Sequence, residues 1–229
     1  YRIPEDRRRY FQGLVTGKEP SLGYHLIAML AQQNIVKSVW TTNFDGLMVK
    51  CAHQYTPLVP IEITAQTSDR VYRGDVDGEL LCVALHGDYK YGDLKNTEQE
   101  LDTQDGELVK ALRHGLTNRD LIVFGYSGRD QSLMQALTQV YSEHGAGKLF
   151  WCGYGSEAPV PVAKLIEHAN ENGRSAFYIA TSGFDSAMYA IARHCMSNDT
   201  GFISNVDEIK RKLAIEIEPQ STGFFVPEE

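Results

Sequence analysis

"LIVFGYSGRDQSLMQALTQVY", Leu121 to Tyr141, decides the fold. Leu121–Phe124 is a short, uninterrupted apolar run, the mark of a strand buried on both faces. Gly125 and Gly128 break it, and Gln131 to Tyr141 reads as a helix. The same order then repeats. Leu149 to Cys152 is a strand, a Gly/Pro loop follows, and Val162 to Asn170 is a helix. Ala176 to Ala180 is a further strand and Asp185 to His194 a further helix. Such alternation predicts an α/β, Rossmann-like fold, a parallel sheet with helices on both faces.

Upstream the pattern is similar but less regular. After Pro20, a helix begins at the candidate cap Ser21, with Leu22, Leu26, Ile27, Leu30 and Ala31 on one face. Val36 to Trp40 is a strand and Asp45 to Ala52 a helix. Leu58 to Ile63 alternates weakly, Thr67 to Gly78 is charged and turn-like, and Leu80 to Leu85 is a buried strand. Glu107 to Leu116 reads as a helix. Residues 1–20 are expected to be the remnant of an upstream helical region, 21–200 a catalytic domain, and 201–229 a C-terminal helix or linker toward a further domain.

The bulk composition excludes several classes. The 229 residues suffice for a real core. A formal net charge of -8, with no basic tract longer than Arg7-Arg8-Arg9, gives no nucleic-acid footprint. The four cysteines (Cys51, Cys82, Cys152, Cys195) are widely spaced, which argues against structural zinc, a redox dithiol or a disulfide framework. A reducing, cytoplasmic compartment is therefore expected. No apolar run approaches the ~20 residues of a membrane helix. The seven histidines show no metal spacing, so no metal site is expected. "HGAGKLF", His144 to Phe150, holds a Gly-Lys pair but is no P-loop, since Ser142 and Leu149 occupy positions that need Gly and Ser or Thr.

Ligands of parallel α/β sheets bind outside the carboxyl ends of the strands. Every unusual polar cluster here follows a strand: Thr42-Asn43-Asp45, His86-Asp88, Gly125-Ser127-Asp130, Gly153-Tyr154-Gly155 and Thr181-Ser182-Gly183. Each has a plainer reading too. Asn43 and Asp45 are good helix caps. His86 is either a hydrogen-bonded structural residue or a proton acceptor near pH 7. "FGYSGRD" either cradles a phosphate or presents Ser127 as a nucleophile, with Asp185 and His194 following in hydrolase order. Against the nucleophile, Arg129 stands where the elbow needs its last glycine. Asp130, in the first turn of a helix, is assigned to capping.

Three of these clusters carry a family resemblance. "TTNFD" (Thr41–Asp45) resembles the T-x-N-x-D signature of sirtuins, "LHGD" (Leu85–Asp88) their histidine–glycine motif, and "FGYSGRD" (Phe124–Asp130) their glycine–serine loop. The likeness runs from about Pro20 to His194 and includes the helix "PSLGYHLIAMLAQQN". The wording of "HGDYKYGDLKNTEQEL" and "GYSGRDQSLMQAL" is closest to bacterial sirtuin-like domains of antiphage defence, which hydrolyse NAD.

The resemblance implies NAD as substrate, with Asn43, His86 and Asp45 catalytic. It implies that Thr42, Gly125, Ser127 and Gly128 bind the dinucleotide, and that Gly153, Gly183 and Phe184 lie toward its adenosine end. It implies an abortive-infection effector, acting as a homo-oligomer or with a sensor or activator module, without zinc, nucleic acid or membrane. The alternatives are an NAD or ADP-ribose sensor without turnover, a deacylase, or a serine hydrolase. A deacylase needs four zinc cysteines that cannot be built here. The family's G-A-G-x-S-like loop does not precede Ser21 and is expected upstream of Tyr1, the chain being read as part of a longer protein.

Overall fold

The computed structural model describes residues 17–43, 45–85 and 106–217, together with Tyr10 and Gly13. In chain order the elements are α1 (Leu22–Gln32), β1 (Ser38–Thr41), α2 (Leu47–Tyr55), β2 (Val59–Ile63), a 3-10 segment (Ala65–Tyr72) and β3 (Glu79–Ala84). Then come α3 (Gly106–Leu116), β4 (Leu121–Phe124), α4 (Gln131–Tyr141), β5 (Leu149–Gly153), α5 (Val160–Glu171), β6 (Ala176–Ala180), α6 (Phe184–Cys195) and α7 (Phe202–Ile217).

The strands form two three-stranded sheets, ordered β1-β3-β2 and β4-β5-β6. Every pairing is parallel. In the second sheet each strand is followed by a helix and then by its neighbour, as the alternation predicts. Parallel neighbours need such crossovers because a tight turn would reverse the chain. The apolar runs of β4, β5 and β6 serve two cores. One core holds Trp151, Leu149 and Ala176 beneath α3, α4 and α5. The other joins α1, α6 and α7 and takes in Phe124 of β4. Helices thus cover both faces, and the fold is Rossmann-like α/β.

Helix α1 spans the two halves. Leu26, Met29 and Leu30 pack with α6 and α7, while Ala28 and Ala31 pack with α2, Leu80 and Cys82. Four-residue spacing lets one helix present both stripes. Ser21 does not cap α1 as predicted. Its hydroxyl instead donates to Asp185 Oδ1 at 2.7 Å, and the same oxygen accepts the Gly23 N–H at 2.8 Å. A carboxylate from another helix therefore satisfies a free donor of α1.

The element boundaries differ most from sequence reading in two places. β1 begins at Ser38 rather than Val36, because the Ile35 and Val36 N–H groups close the end of α1 on Leu30 O. The turn-like stretch after Thr64 contains the 3-10 segment, set by a capping box in which Thr64 and Thr67 bond reciprocally. The C-terminal region contains a 16-residue helix, α7, held by Phe202 and Val206 in the second core.

Candidate functional site at the strand ends

The carboxyl end of β1 delivers Thr42, Asn43 and Asp45. The Asn43 N–H is held by Thr41 Oγ1 at 3.0 Å, which leaves the Asn43 side chain exposed. Gly46 turns the chain with φ 63°, a left-handed conformation that glycine adopts without strain. Asp45 Oδ1 accepts from the Leu47 N–H at 3.0 Å. One oxygen of Asp45 therefore caps α2, the plainer of its two readings. Thr42, just before Asn43, is half-buried.

β3 runs beside β1 in parallel register, with Thr41 opposite Ala84. The Leu85 N–H continues the ladder onto Thr41 O at 2.8 Å. His86, the next residue, lies outside the described residues, as do Gly87 and Asp88.

β4 ends in the second glycine turn. Gly125 has φ 64° and Gly128 φ 73°, so both occupy left-handed backbone. A Cβ on Gly125 would meet nothing within 4 Å, whereas one on Gly128 would meet Val162 Cγ2 at 3.1 Å. Gly125 thus faces open space and Gly128 is needed for packing as well. Ser127 between them is exposed. Trp151 supports the loop from below by donating its Nε1–H to Tyr126 O at 3.2 Å. Asp130 caps α4, accepting from the Ser132 and Leu133 N–H groups at 3.0 and 3.2 Å. That is the role its first-turn position predicts.

Gly153 ends β5. A Cβ there would lie 2.7 Å from the Tyr178 hydroxyl, which donates to the carbonyl oxygens of Tyr154 and Gly155. Its lack of a side chain therefore has a packing reason in addition to any ligand. Gly183, with φ 154° and ψ 166°, holds a conformation open essentially to glycine alone and starts α6.

Phe184 packs between β4 and α1. Its ring meets Phe124 edge-on at 5.4 Å and Tyr24 edge-on at 5.5 Å. The Asn43 amide and the Asp45 and Asp185 carboxylates lie near enough to act on the Tyr24 phenol. Ring contacts thus run from Tyr24 through Phe184 to Phe124, the residue before Gly125. Gly23 permits it: a Cβ there would lie 2.4 Å from the Phe184 ring. Burial, with Asp45 and Asp185 nearby, pushes the Tyr24 phenol up to about 12. The phenol is therefore neutral at physiological pH.

Sequence reading missed Tyr24 and the role of Asp185. A signal for Tyr24 exists: it shares a stripe with Ala28 and Ala31, at i, i+4 and i+7, where α1 faces its neighbours. A helix that runs back to feed a strand starts level with that strand's carboxyl end. No local pattern announces Asp185, whose partners Ser21 and Gly23 are more than 160 positions away.

The hydrolase arrangement does not assemble through the residues that suggested it. Asp185 is in the first turn of α6 and His194 in its last turn. About 14 Å of helix rise separates them, so Asp185 cannot orient that imidazole. The glycines of "HGAGKLF" are likewise structural. A Cβ on Gly145 would lie 2.2 Å from Thr117 O, and one on Gly147 2.1 Å from Arg119 O. Cys51, Cys82, Cys152 and Cys195 sit on four different elements, and all are free thiols. Among the described residues no group of three or more His, Cys, Asp or Glu is arranged to hold a metal, and no helix is long and apolar enough to cross a membrane.

Parallel strands with helices on both faces define a Rossmann-like domain, a fold class in which ligands bind outside the carboxyl ends of the strands. Residues 37–179 match the family model of the SIR2-like domain, more than half of the chain, and the chain belongs to that family. Membership implies an NAD-related function. No curated protein matches the chain.

Proposed function

We propose that the protein hydrolyses NAD to nicotinamide and ADP-ribose. The observation that supports this reading is the pairing of an exposed, uncharged amide, Asn43, at the carboxyl end of β1 with an open glycine turn, Gly125, at the carboxyl end of β4. A dinucleotide needs both: a reacting end and, several ångströms away, a backbone that accepts phosphate and ribose.

Cleavage breaks the bond between the ribose C1′ and the nicotinamide nitrogen, and the electron pair leaves with nicotinamide. Positive charge develops on the ribose, and a cationic side chain there would oppose it. Asn43 is neutral and can hold the attacking water or a ribose hydroxyl. Asp45, with one oxygen capping α2, can favour the charge electrostatically or accept from the nicotinamide carboxamide. His86 takes the proton of the water as its oxygen bonds to C1′. The Gly125–Gly128 turn with Ser127 would anchor ribose and pyrophosphate, so remote binding orients the reacting end. Gly153, Gly183 and Phe184 are placed toward adenosine. For Phe184 only its backbone and ring edge are available, since the ring is engaged by Phe124 and Tyr24.

By family likeness, the activity serves as the toxic effector of a bacterial antiphage system. The catalytic domain spans residues 21–200 and works in the cytoplasm as a homo-oligomer or with an activator module. The test is nicotinamide release by the full-length protein with its activator. Asn43→Ala should reduce it by at least 100-fold. Equal rates in wild type and variant would remove Asn43 from the mechanism.

A second reading is a sensor that binds NAD or ADP-ribose without turnover. Calorimetry followed by analysis of the recovered nucleotide separates the two: a sensor returns it intact.

A further inference from the structure

Strand β6 lies at one edge of the second sheet, whose order is β4-β5-β6. An edge strand offers unpaired backbone groups to another chain, and proteins usually blunt it with charge, proline or a bulge. The edge strand β2 of the first sheet is blunted in this way, by Pro60 and Glu62. β6 reads Ala176-Phe177-Tyr178-Ile179-Ala180, with no charge and no proline. Phe177 is 48% exposed and Ile179 40%. Alternation puts both on one face, where the Phe177 ring stacks on Phe150 at 5.6 Å.

The ladder fixes where each backbone group of β6 points. The Leu149 N–H donates to Ser175 O and the Thr181 N–H to Gly153 O, with Leu149 opposite Ala176 and Gly153 opposite Ala180. Phe177 and Ile179 therefore bond to β5, while Ala176, Tyr178 and Ala180 turn their N–H and C=O groups outward. Asn170 already closes the first of these three. Its Oδ1 accepts the Ala176 N–H and its Nδ2 donates to Ala176 O, both at 3.1 Å. No described residue bonds the outward groups of Tyr178 or Ala180. The open part of the edge is thus the backbone of these two residues.

We propose that this edge is a dimer interface, in which β6 of a second copy pairs antiparallel to it about a two-fold axis at Ile179. Tyr178 of each copy then exchanges both backbone hydrogen bonds with Ala180 of the other. Those bonds use every open group, so the patch complements itself, as a two-fold contact requires. An axis at Tyr178 would instead set Ala180 against Ala176, whose groups Asn170 holds. Ile179 faces its own counterpart as a non-hydrogen-bonded pair, with Cα atoms about 4.5 Å apart. Each Phe177 lies diagonal to the second copy's Ile179, which joins the exposed apolar side chains into one strip. The contact closes at two copies. The second strand runs the opposite way and carries its own rim to the far side, so both rims stay open. The dimer is independent of the NAD-hydrolysis reading.

The test uses the full-length protein with Cys195→Ser, which removes the exposed free thiol. It should sediment as a dimer. Ile179→Lys should raise the dissociation constant by about 100-fold, because two ammonium groups would face each other across the axis. Mild oxidation of Ile179→Cys should link two copies through a disulfide, for which the Cα spacing is suitable. Phe177→Cys should stay unlinked, because four residues of strand, about 13 Å, separate it from its counterpart. The cysteine pair of variants decides the matter even where Ile179→Lys fails to fold. A monomer at every concentration, a dimer untouched by Ile179→Lys, or equal linking of both cysteine variants overturns the proposal.

Discussion

Arg174 is 2% exposed and pairs with no carboxylate among the described residues. Its guanidinium instead makes five hydrogen bonds to backbone carbonyls. Nε and Nη2 reach Gly147 O at 3.0 and 2.8 Å, Nη2 also reaches Leu116 O at 3.1 Å, and Nη1 reaches Val140 O at 3.3 Å and Glu143 O at 3.1 Å. The cation also lies over the Tyr141 ring, 4.7 Å from its centroid. Leu116 ends α3 and Val140 lies in the last turn of α4, so the charge meets the negative ends of two helices.

Arg174→Met removes the cation and leaves those carbonyls without their donor. Hydrogen bonds to a charged group contribute about 1.5–3 kcal/mol each. Taking the guanidinium out of water costs several kcal/mol, which offsets much of that sum. The net loss is then about 3–5 kcal/mol, comparable to removing one partner of a buried pair. For a chain of this size each kcal/mol moves the melting temperature by about 2–4 °C, so the expected drop is about 6–20 °C. Arg174→Lys should fall between, because one ammonium has three donors against the five bonds now made. Differential scanning calorimetry reads both. A melting temperature for Arg174→Met within 2 °C of wild type would refute the reasoning. Arg174 stands before the amino end of β6, opposite the rim, so nicotinamide release at temperatures where the variant stays folded should not change.

Gly23→Ala should lower stability by about 1–3 kcal/mol, because its Cβ would overlap the Phe184 ring. An unchanged urea midpoint would mean that the α1–α6 contact yields freely. Gly125→Ala should cost only about 1–2 kcal/mol of backbone strain, since its Cβ meets open space. It should weaken ADP-ribose binding by more than tenfold, and unaltered calorimetric affinity would exclude the turn from the ligand site. Stability should fall with rising pH. Burial pushes the thiols of Cys51 and Cys82 from 9 to about 12, and the Tyr24 phenol from 10 to about 12. The unfolded chain therefore releases these protons first, and the stability present below pH 9 is lost as pH rises through 12. Urea midpoints at pH 7, 9 and 10.5 should decline in that order.

The repeating strand–turn–helix text from Leu121 onward was enough to predict parallel pairing and helices on both faces, because local periodicity and crossover length leave few other arrangements. Gly125, Gly128 and Asp130 were equally legible: left-handed turns and helix caps are demands of the immediate backbone. The weakly patterned C-terminal region was legible only as a helix or linker, without its packing partners. The apolar residues of α7 form a narrow stripe, and only packing against α1 and α6 gives that stripe a partner.

Nor does any local rule say that Asp185 will close the start of α1, or that Gly23 must be bare for Phe184. Sequence by itself determined which chemical groups stand at the ends of which strands. Which of them meet was decided by the tertiary fold, because contacts across more than a hundred residues depend on how helices pack and leave no trace in neighbouring side chains.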